Sequence, residues 1–238
     1  MSNYVIRPIP LCKGVRNKSQ LTYHHGLGEE IEICCYVWYI QGTEPKVVVD
    51  TGTSADWYHT QGVPQQEHIQ NIEEGFGKFE IKPEDIDIVI LTHLHADHIE
   101  QARKFSHAKM FVQKKELEAI EHPAMASEYV NSLFNGLHFT VIEGDEQIMS
   151  GIRVIFTPGH TPGTQSVAVE TTGGVAVISG FCSIDENFGG EKKDSPIFAP
   201  GVFTNLLEAH DSIVKVNQIA DVVISLHDMK YTRIDAIP

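Results

Sequence analysis

Residues 92–98 read Thr-His-Leu-His-Ala-Asp-His, and this stretch decides how the rest of the sequence is interpreted. It follows the largely apolar residues 86–91, which predict a buried strand, and precedes residues 99–105, which are predicted to be helical. The loop between the strand and the helix therefore carries four metal-ligating side chains within six residues, namely His93, His95, Asp97 and His98. Imidazole and carboxylate groups are natural ligands of zinc and iron. The stretch predicts a metal site at the end of a strand.

The spacing within this loop further suggests two ions. If the chain is extended at 93–95, alternation points the imidazoles of His93 and His95 to the same side, while Asp97 and His98 at the start of the helix can face a second ion. The alternative is a polar, histidine-rich turn in which Asp97 serves only as a helix N-cap.

Buried strands that end in a chemically active residue recur along the chain. Residues 47–49 lead into Asp50-Thr51-Gly52, residues 152–156 into Thr-Pro-Gly-His-Thr-Pro-Gly at 157–163, and residues 221–226 into His227-Asp228. Such strand ends can converge at one edge of a sheet, where loops on a rigid scaffold carry the chemistry. We therefore predict an α/β fold whose site is assembled from several strand ends.

The remaining segments predict short alternating elements. Strands are predicted at 31–40, 110–112, 138–142, 166–170 and 175–178, and helical segments at 64–74, 83–85, 114–120 and 205–219. The chain has 238 residues with 42% hydrophobic and 21% charged residues, which is ordinary for a globular protein. We expect one domain spanning residues 1–238.

Composition and charge narrow the classes of partner. The formal net charge is −14 and there is no long basic run, which argues against nucleic acid and leaves a small-molecule substrate. The sequence contains no apolar run of 18 residues, and residues 1–8 lack the pattern of a secretion signal, so we expect a cytoplasmic protein with no membrane partner.

The four cysteines are expected to be reduced and available for metal ligation. A homodimer is compatible with the sequence, as dimers are common among small enzymes.

With these motifs in place, the sequence resembles the metallo-β-lactamase superfamily over nearly its whole length. The resemblance rests on the His-x-His-x-Asp-His loop, the Asp50-Thr51-Gly52 strand end, residues 157–163 and the late His227, all in the family's order. It implies that His93, His95 and His160 hold one metal ion, and that Asp97, His98 and His227 hold the other. The implied fold is a four-layer αββα sandwich with the site at the edge between the two sheets.

One position departs from the family pattern. Members of the family usually carry a metal-bridging aspartate roughly twenty residues after the third histidine, and here that position holds Cys182. A thiolate is a good zinc ligand, so we predict that Cys182 is a ligand, with bridging as one possibility. The alternatives are Asp185 in that role, or Cys182 as a small buried hydrophobic residue.

Asp50 admits two interpretations. Its Asp-Thr-Gly motif also occurs in aspartic proteases, but those need two copies and the chain has one. We expect Asp50 to accept a hydrogen bond from a ligand imidazole, or to act as a plain turn residue.

The predicted site favours hydrolysis of an ester-type carbonyl. Within the family the sequence most resembles the N-acyl homoserine lactonases, which implies opening of a lactone ring by a metal-activated water, with Asp97 able to pass a proton to the leaving alkoxide. The cofactors would be two divalent ions, with zinc expected first and iron or manganese as alternatives. Two other functions stay open: a thioesterase of the glyoxalase II type, and a non-haem diiron protein that binds oxygen or transfers electrons.

Overall fold

The computed structural model describes residues 4–190 and 196–238, so residues 1–3 of the N-terminal stretch lie outside it. The strands are β1 (Val5–Asn17), β2 (Glu30–Gln41), β3 (Val47–Val49), β4 (Glu67–His68), β5 (Ile88–Ile90), β6 (Lys109–Gln113), β7 (Phe139–Ile142), β8 (Glu146–Met149), β9 (Ile152–Phe156), β10 (Gln165–Thr171), β11 (Gly174–Ile178) and β12 (Val222–Ile224). The α-helices are α1 (Ala55–Thr60), α2 (Ile72–Gly77), α3 (Ala96–Ile99), α4 (Lys114–Glu121), α5 (Asn131–Phe134) and α6 (Leu206–Ile219). Short 3-10 helices span Lys18–Gln20, Pro83–Asp85, Ala102–Phe105, Pro123–Met125, Asp185–Phe188 and Met229–Arg233.

These strands form two sheets. The first has seven strands in the order β4-β1-β2-β3-β5-β6-β7, and the second has five in the order β12-β11-β10-β9-β8. Strands β3, β5, β6 and β7 are parallel to one another, so the loops that follow them leave from the same edge of the sheet. The loop after β5 carries residues 92–98.

Three apolar layers hold the sheets and helices together. Trp38 and Ile90 of the first sheet pack against Val167 and Ile178 of the second, in the core between the two sheets. On the outer face of the first sheet, Val37 and Val89 pack with Phe76 and Phe105 in a second core. On the outer face of the second sheet, α6 buries Ile213 and Val216 against Val177. The order of layers is therefore αββα, and the predicted fold class is confirmed.

The longest strand, β1, was not predicted from the sequence. It carries Pro8 and Pro10, and proline cannot donate to a sheet ladder. In the structure β1 pairs with β2 along its length but with β4 only at Cys12 and Lys13. Both prolines therefore lie where no other described strand pairs with the second side of β1. Proline is tolerated at such an edge.

The helix predicted at 64–74 is wrong over residues 64–71. Glu67–His68 form the short strand β4, and α2 begins only at Ile72. Asn71 accepts a hydrogen bond from the backbone N–H of Glu74, whose carboxylate accepts one from the backbone N–H of Asn71. This capping box fixes the start of the helix after the strand.

Among the described residues, no helix has both the length and the apolar character needed to cross a membrane.

Candidate metal centre

The loop at 92–98 leaves β5 and turns directly into α3, whose N-cap is His95. Its far end is fixed by Thr51, whose backbone N–H and hydroxyl both donate to the carbonyl oxygen of His98, at 2.8 and 2.9 Å. The Asp50-Thr51-Gly52 turn that follows β3 therefore holds the metal-ligand loop that follows β5. Two neighbouring strand ends converge as the sequence predicted.

The first donor group consists of three histidines from two loops. The ligand atoms of His93, His95 and His160 all lie within 4.8 Å of one another. The Nε2 atoms of His93 and His160 are 3.2 Å apart, although the two residues are 67 positions apart in the chain. The structure thus brings together the three residues predicted for one ion.

The second donor group is centred on Asp97. Its Oδ2 atom lies 3.4 Å from Nε2 of His98 and 3.6 Å from Nε2 of His227. The Sγ atom of Cys35 also belongs here, within 4.8 Å of the ligand atoms of Asp97 and His227. The structure therefore brings together the three residues predicted for the other ion, and adds a cysteine that the sequence analysis did not single out.

Neither of the two residues considered for the bridging position belongs to a donor group. Cys182 is partly buried beside an apolar cluster that includes Leu21 and Ile184. Its role as a ligand stays a prediction. Asp185 is engaged elsewhere, since it accepts a hydrogen bond from the Ser225 hydroxyl at 2.6 Å and forms an ion pair with Lys230.

Five histidines belong to the two donor groups, and in four of them the Nδ1 atom lies within hydrogen-bond distance of an oxygen atom. These contacts are His93 to Thr92 Oγ1 (3.1 Å), His98 to Asp50 Oδ2 (2.8 Å), His160 to the Val202 carbonyl (2.8 Å) and His227 to the Cys34 carbonyl (3.0 Å). An Nδ1–H that donates to such an oxygen leaves the lone pair on Nε2, and Nε2 is the atom that points into each donor group. The surrounding protein therefore sets the tautomer that metal ligation requires.

The fifth histidine provides a direct test of whether an ion fits. Nε2 of His95 is buried and has no hydrogen-bond partner among the described residues. A buried polar atom without a partner costs about 1–3 kcal/mol. A divalent ion shared with His93 and His160 would satisfy that atom, so the residues present fit a metal.

The ionisation of the first group also suits a metal. Burial lowers the pKa of His95 to about 4 and that of His160 to about 3. Burial, together with the neighbouring histidines, also holds the pKa of His93 well below its usual range. All three imidazoles are therefore neutral near pH 7, and neutral imidazole is the form that binds a metal.

The second group has the opposite electrostatics. Burial disfavours a charge on His98, but the carboxylates of Asp97 and Asp50 outweigh burial and raise the pKa of His98 to about 10. Burial likewise opposes ionisation of Asp97, but His98 and His227 hold the pKa of Asp97 well below its usual range. Asp50, which is buried, and Asp97, which is partly exposed, thus favour positive charge at this point, held as a proton on His98 when no ion is bound. An ion bound at Nε2 of His98 would take the place of that proton.

Glu116 of α4 is an important residue that the sequence analysis missed. It is buried, and its Oε1 atom accepts hydrogen bonds from the Leu94 backbone N–H (2.9 Å) and the Tyr129 hydroxyl (3.0 Å). Its Oε2 atom accepts from the Thr161 hydroxyl (2.6 Å) and the Gly163 backbone N–H (3.0 Å). One carboxylate therefore fastens the loop at 92–98 to the loop at 157–163. Burial raises the pKa of Glu116, and these four donors oppose that rise.

The glycines around His160 are explained by close backbone approach. Gly159 has φ of 125°, and a Cβ atom there would lie 2.1 Å from the backbone nitrogen of Ala209 in α6. A Cβ atom at Gly163 would lie 2.2 Å from the backbone nitrogen of Glu116. Only glycine allows this loop to approach both helices, which places His160 opposite His93.

The hydrogen bond between Asp50 and His98 leads to a testable prediction. In Asp50→Asn the amide group can donate to Nδ1 of His98, which moves the imidazole proton to Nε2, the atom needed for the ion. We expect affinity for the second ion, or metal-dependent activity, to fall by about 10- to 100-fold. Isothermal titration with zinc measures the affinity. Asp56→Asn, at an exposed position of α1, serves as the control. Unchanged affinity and activity in Asp50→Asn would show that Asp50 is only a turn residue.

Known proteins resemble this chain in sequence. A sequence model described as the metallo-beta-lactamase superfamily matches residues 35–180. An N-acyl homoserine lactonase of a Bacillus species is 29% identical over 181 residues, which cover 69% of this chain and 70% of that protein. The N-acyl homoserine lactonase AiiB of Agrobacterium fabrum is 23% identical over 216 residues, covering 80% of this chain and 76% of that protein.

Solved structures share the fold. An N-acyl homoserine lactone hydrolase with the product N-hexanoyl-L-homoserine at its catalytic metal center superposes with a TM-score of 0.78 at 23% identity, covering 98% of this chain and 96% of that chain. A probable metal-dependent hydrolase from Staphylococcus aureus gives a TM-score of 0.76 at 16% identity, covering 96% of this chain and 90% of that chain.

Proposed function

The chain belongs to the metallo-β-lactamase superfamily, and from that premise we propose that it is a metal-dependent hydrolase that opens lactone rings. The observation that carries the proposal is the pair of adjacent donor groups. Three neutral histidines lie beside a carboxylate and two further histidines, and the buried Nε2 atom of His95 has no partner within residues 4–190 and 196–238. The proposed cofactors are two divalent ions, zinc before iron or manganese, held by His93, His95 and His160 and by Asp97, His98 and His227.

The choice of a lactone rests on the relatives. The curated proteins named above are N-acyl homoserine lactonases, and one of the structures holds the ring-opened product N-hexanoyl-L-homoserine at its metal center. None of the relatives named above is a thioesterase or an oxygen-binding protein, so those two alternatives are not favoured.

The protein's own residues divide the work of such a reaction. Divalent ions bound here would supply polarisation of the substrate carbonyl and activation of a water molecule. His93, His98, His160 and His227 are almost fully buried, and their Nδ1 contacts hold them in one orientation. His95 and Asp97 are less buried, with 24% of the Asp97 side chain exposed, so substrate can approach from their side. Asp97 is therefore placed to pass a proton to the leaving alkoxide.

The proposal is tested with the purified, zinc-loaded protein and a panel of carbonyl substrates. We expect N-acyl homoserine lactones to be hydrolysed fastest, measured as acid release with a pH indicator and as the ring-opened product by mass spectrometry. Thioesters and a β-lactam serve as comparison substrates, and oxygen uptake is followed in parallel. Metal-dependent hydrolysis of thioesters but not of lactones would contradict the lactonase proposal, and oxygen uptake without hydrolysis would contradict the hydrolase proposal itself.

Metal removal gives a second expected outcome. Dialysis against a chelator should abolish lactone hydrolysis, and zinc added back should restore it. The ions should also stabilise the folded state by about 2.7 kcal/mol for each site when free zinc is 100 times its Kd. Thermal unfolding of the chelated and zinc-loaded protein measures this difference. Activity and melting temperature that are indifferent to chelation, with full removal of metal confirmed by elemental analysis, would contradict the metal site.

A further inference from the structure

The side chain of Cys35 lies at the second donor group. Cys35 is in β2, where it pairs with Cys12 of the neighbouring strand β1, and it is 1% exposed. Its Sγ atom and the ligand atoms of Asp97 and His227 all lie within 4.8 Å of one another. Strand β2, helix α3 and the loop after β12 therefore place a thiol, a carboxylate and an imidazole around one point.

Backbone contacts fix Cys35 relative to His227. The backbone N–H of Cys34 donates to the carbonyl oxygen of His227 at 3.1 Å, and Nδ1 of His227 meets the carbonyl oxygen of Cys34 at 3.0 Å. This pair of contacts anchors both the backbone and the ring of His227 to the residue that directly precedes Cys35. These main-chain contacts hold the backbone of Cys35 next to His227, within reach of its imidazole.

The spacing suits a tetrahedral ion. With bond lengths of about 2.3 Å to sulfur and 2.0–2.2 Å to nitrogen or oxygen, two ligands of one tetrahedral zinc lie about 3.3–3.6 Å apart. Asp97 Oδ2 and His227 Nε2 are 3.6 Å apart, and Asp97 Oδ2 and His98 Nε2 are 3.4 Å apart. The Sγ atom of Cys35 lies within 4.8 Å of both Asp97 and His227, which is close enough for a side-chain movement to bring it onto the same ion.

We infer that the thiolate of Cys35 is a ligand of the second ion, alongside Asp97, His98 and His227; this inference rests on the proposed metal site. When the sulfur–metal bond forms, the thiol S–H bond breaks and its proton leaves to solvent. The second ion then has two anionic ligands, whereas the three histidines of the first group contribute none. The thiolate supplies the negative charge that the family's missing bridging aspartate would otherwise bring.

The geometry favours Cys35 over the cysteine predicted from the sequence. Cys182 follows β11 and packs against an apolar cluster, and its sulfur belongs to neither donor group. Either Cys35 or Cys182 could supply a thiolate in place of the family's bridging aspartate. An experiment that compares the two residues can therefore decide between them.

Cobalt substitution provides that comparison. Cobalt(II) bound by a thiolate shows a sulfur-to-metal charge-transfer band in the near ultraviolet, which histidine and carboxylate ligands do not produce. We expect the band in the cobalt-loaded wild type and in Cys182→Ser, and its loss in Cys35→Ser. Cys34→Ser is the control for the effect of a buried hydroxyl, because Cys34 is the buried neighbour of Cys35 in β2. This variant should retain the band.

The opposite pattern would overturn the inference. A band that persists in Cys35→Ser and disappears in Cys182→Ser would assign the ligand role to Cys182. X-ray absorption of the zinc-loaded wild type does not depend on the folding of any variant, and we expect it to show a sulfur scatterer at about 2.3 Å. Two bound zinc ions without a sulfur scatterer would refute the inference and leave the proposed hydrolase intact, whereas failure to bind zinc, iron or manganese would refute the proposed function.

Discussion

Replacing Asp97 by asparagine should lower kcat/KM for lactone hydrolysis by roughly 10²- to 10⁴-fold. Asparagine keeps the size of the side chain but cannot carry the proton to the leaving alkoxide, and it removes the negative charge between His98 and His227. Steady-state kinetics on an N-acyl homoserine lactone measure the effect. Elemental analysis of the same sample measures the bound metal, and so shows whether the fall in kcat/KM is accompanied by loss of the second ion.

The matched control for Asp97 is Asp211→Asn on α6, because the Asp211 side chain is 85% exposed and lies outside both donor groups. That variant should keep the wild-type kcat/KM. If Asp97→Asn retained both ions and full activity, the proposed role of Asp97 in proton transfer would be wrong.

Replacing Glu116 by alanine should lower the free energy of unfolding by about 3 kcal/mol or more. The substitution leaves four donors without their acceptor, namely the N–H groups of Leu94 and Gly163 and the hydroxyls of Tyr129 and Thr161. Each buried donor without a partner costs about 1–3 kcal/mol, and water that enters the space recovers part of the total. For a chain of this size the melting temperature should fall by roughly 6–12 °C. Urea unfolding and calorimetry measure both quantities.

Glu118→Ala is the control for Glu116, since Glu118 is exposed on the same helix and should change stability by less than about 0.5 kcal/mol. Because Glu116 joins the two histidine loops, the Glu116→Ala variant should also bind the first ion more weakly. Equal stability and zinc affinity in the two variants would contradict the role of Glu116 as the link between the loops.

The sequence was most informative where ligands lie close together in the chain. Four predicted ligands fall within residues 93–98, and their contacts follow from local geometry, a strand end that runs into a helix N-terminus. His160 and His227 were identified by resemblance, and their placement depends on how the second sheet packs against the first. His93, His95 and His160 lie together, and Asp97 lies within 3.6 Å of both His98 and His227, but their roles as ligands stay predictions.

Residues that act through long-range packing could not be found in this way. Glu116 lies in the sequence Lys-Lys-Glu-Leu-Glu, where nothing distinguishes it from an exposed helical glutamate, and its burial depends on two loops that approach it from elsewhere. Cys35 is separated from His227 by 192 positions, and only the pairing of β2 with the loop after β12 brings them together. The strand β1 was missed because its prolines are tolerated at a sheet edge that only the completed topology defines.

The central claim is that two ions lie side by side at the ends of these strands. The most direct test is a crystal structure of the zinc-saturated protein with anomalous diffraction data collected at the zinc absorption edge. We predict two peaks, one in contact with Nε2 of His93, His95 and His160, and the other in contact with Asp97, His98 and His227. A saturated crystal with no peak between these side chains, or with zinc bound only elsewhere on the molecule, would contradict the account.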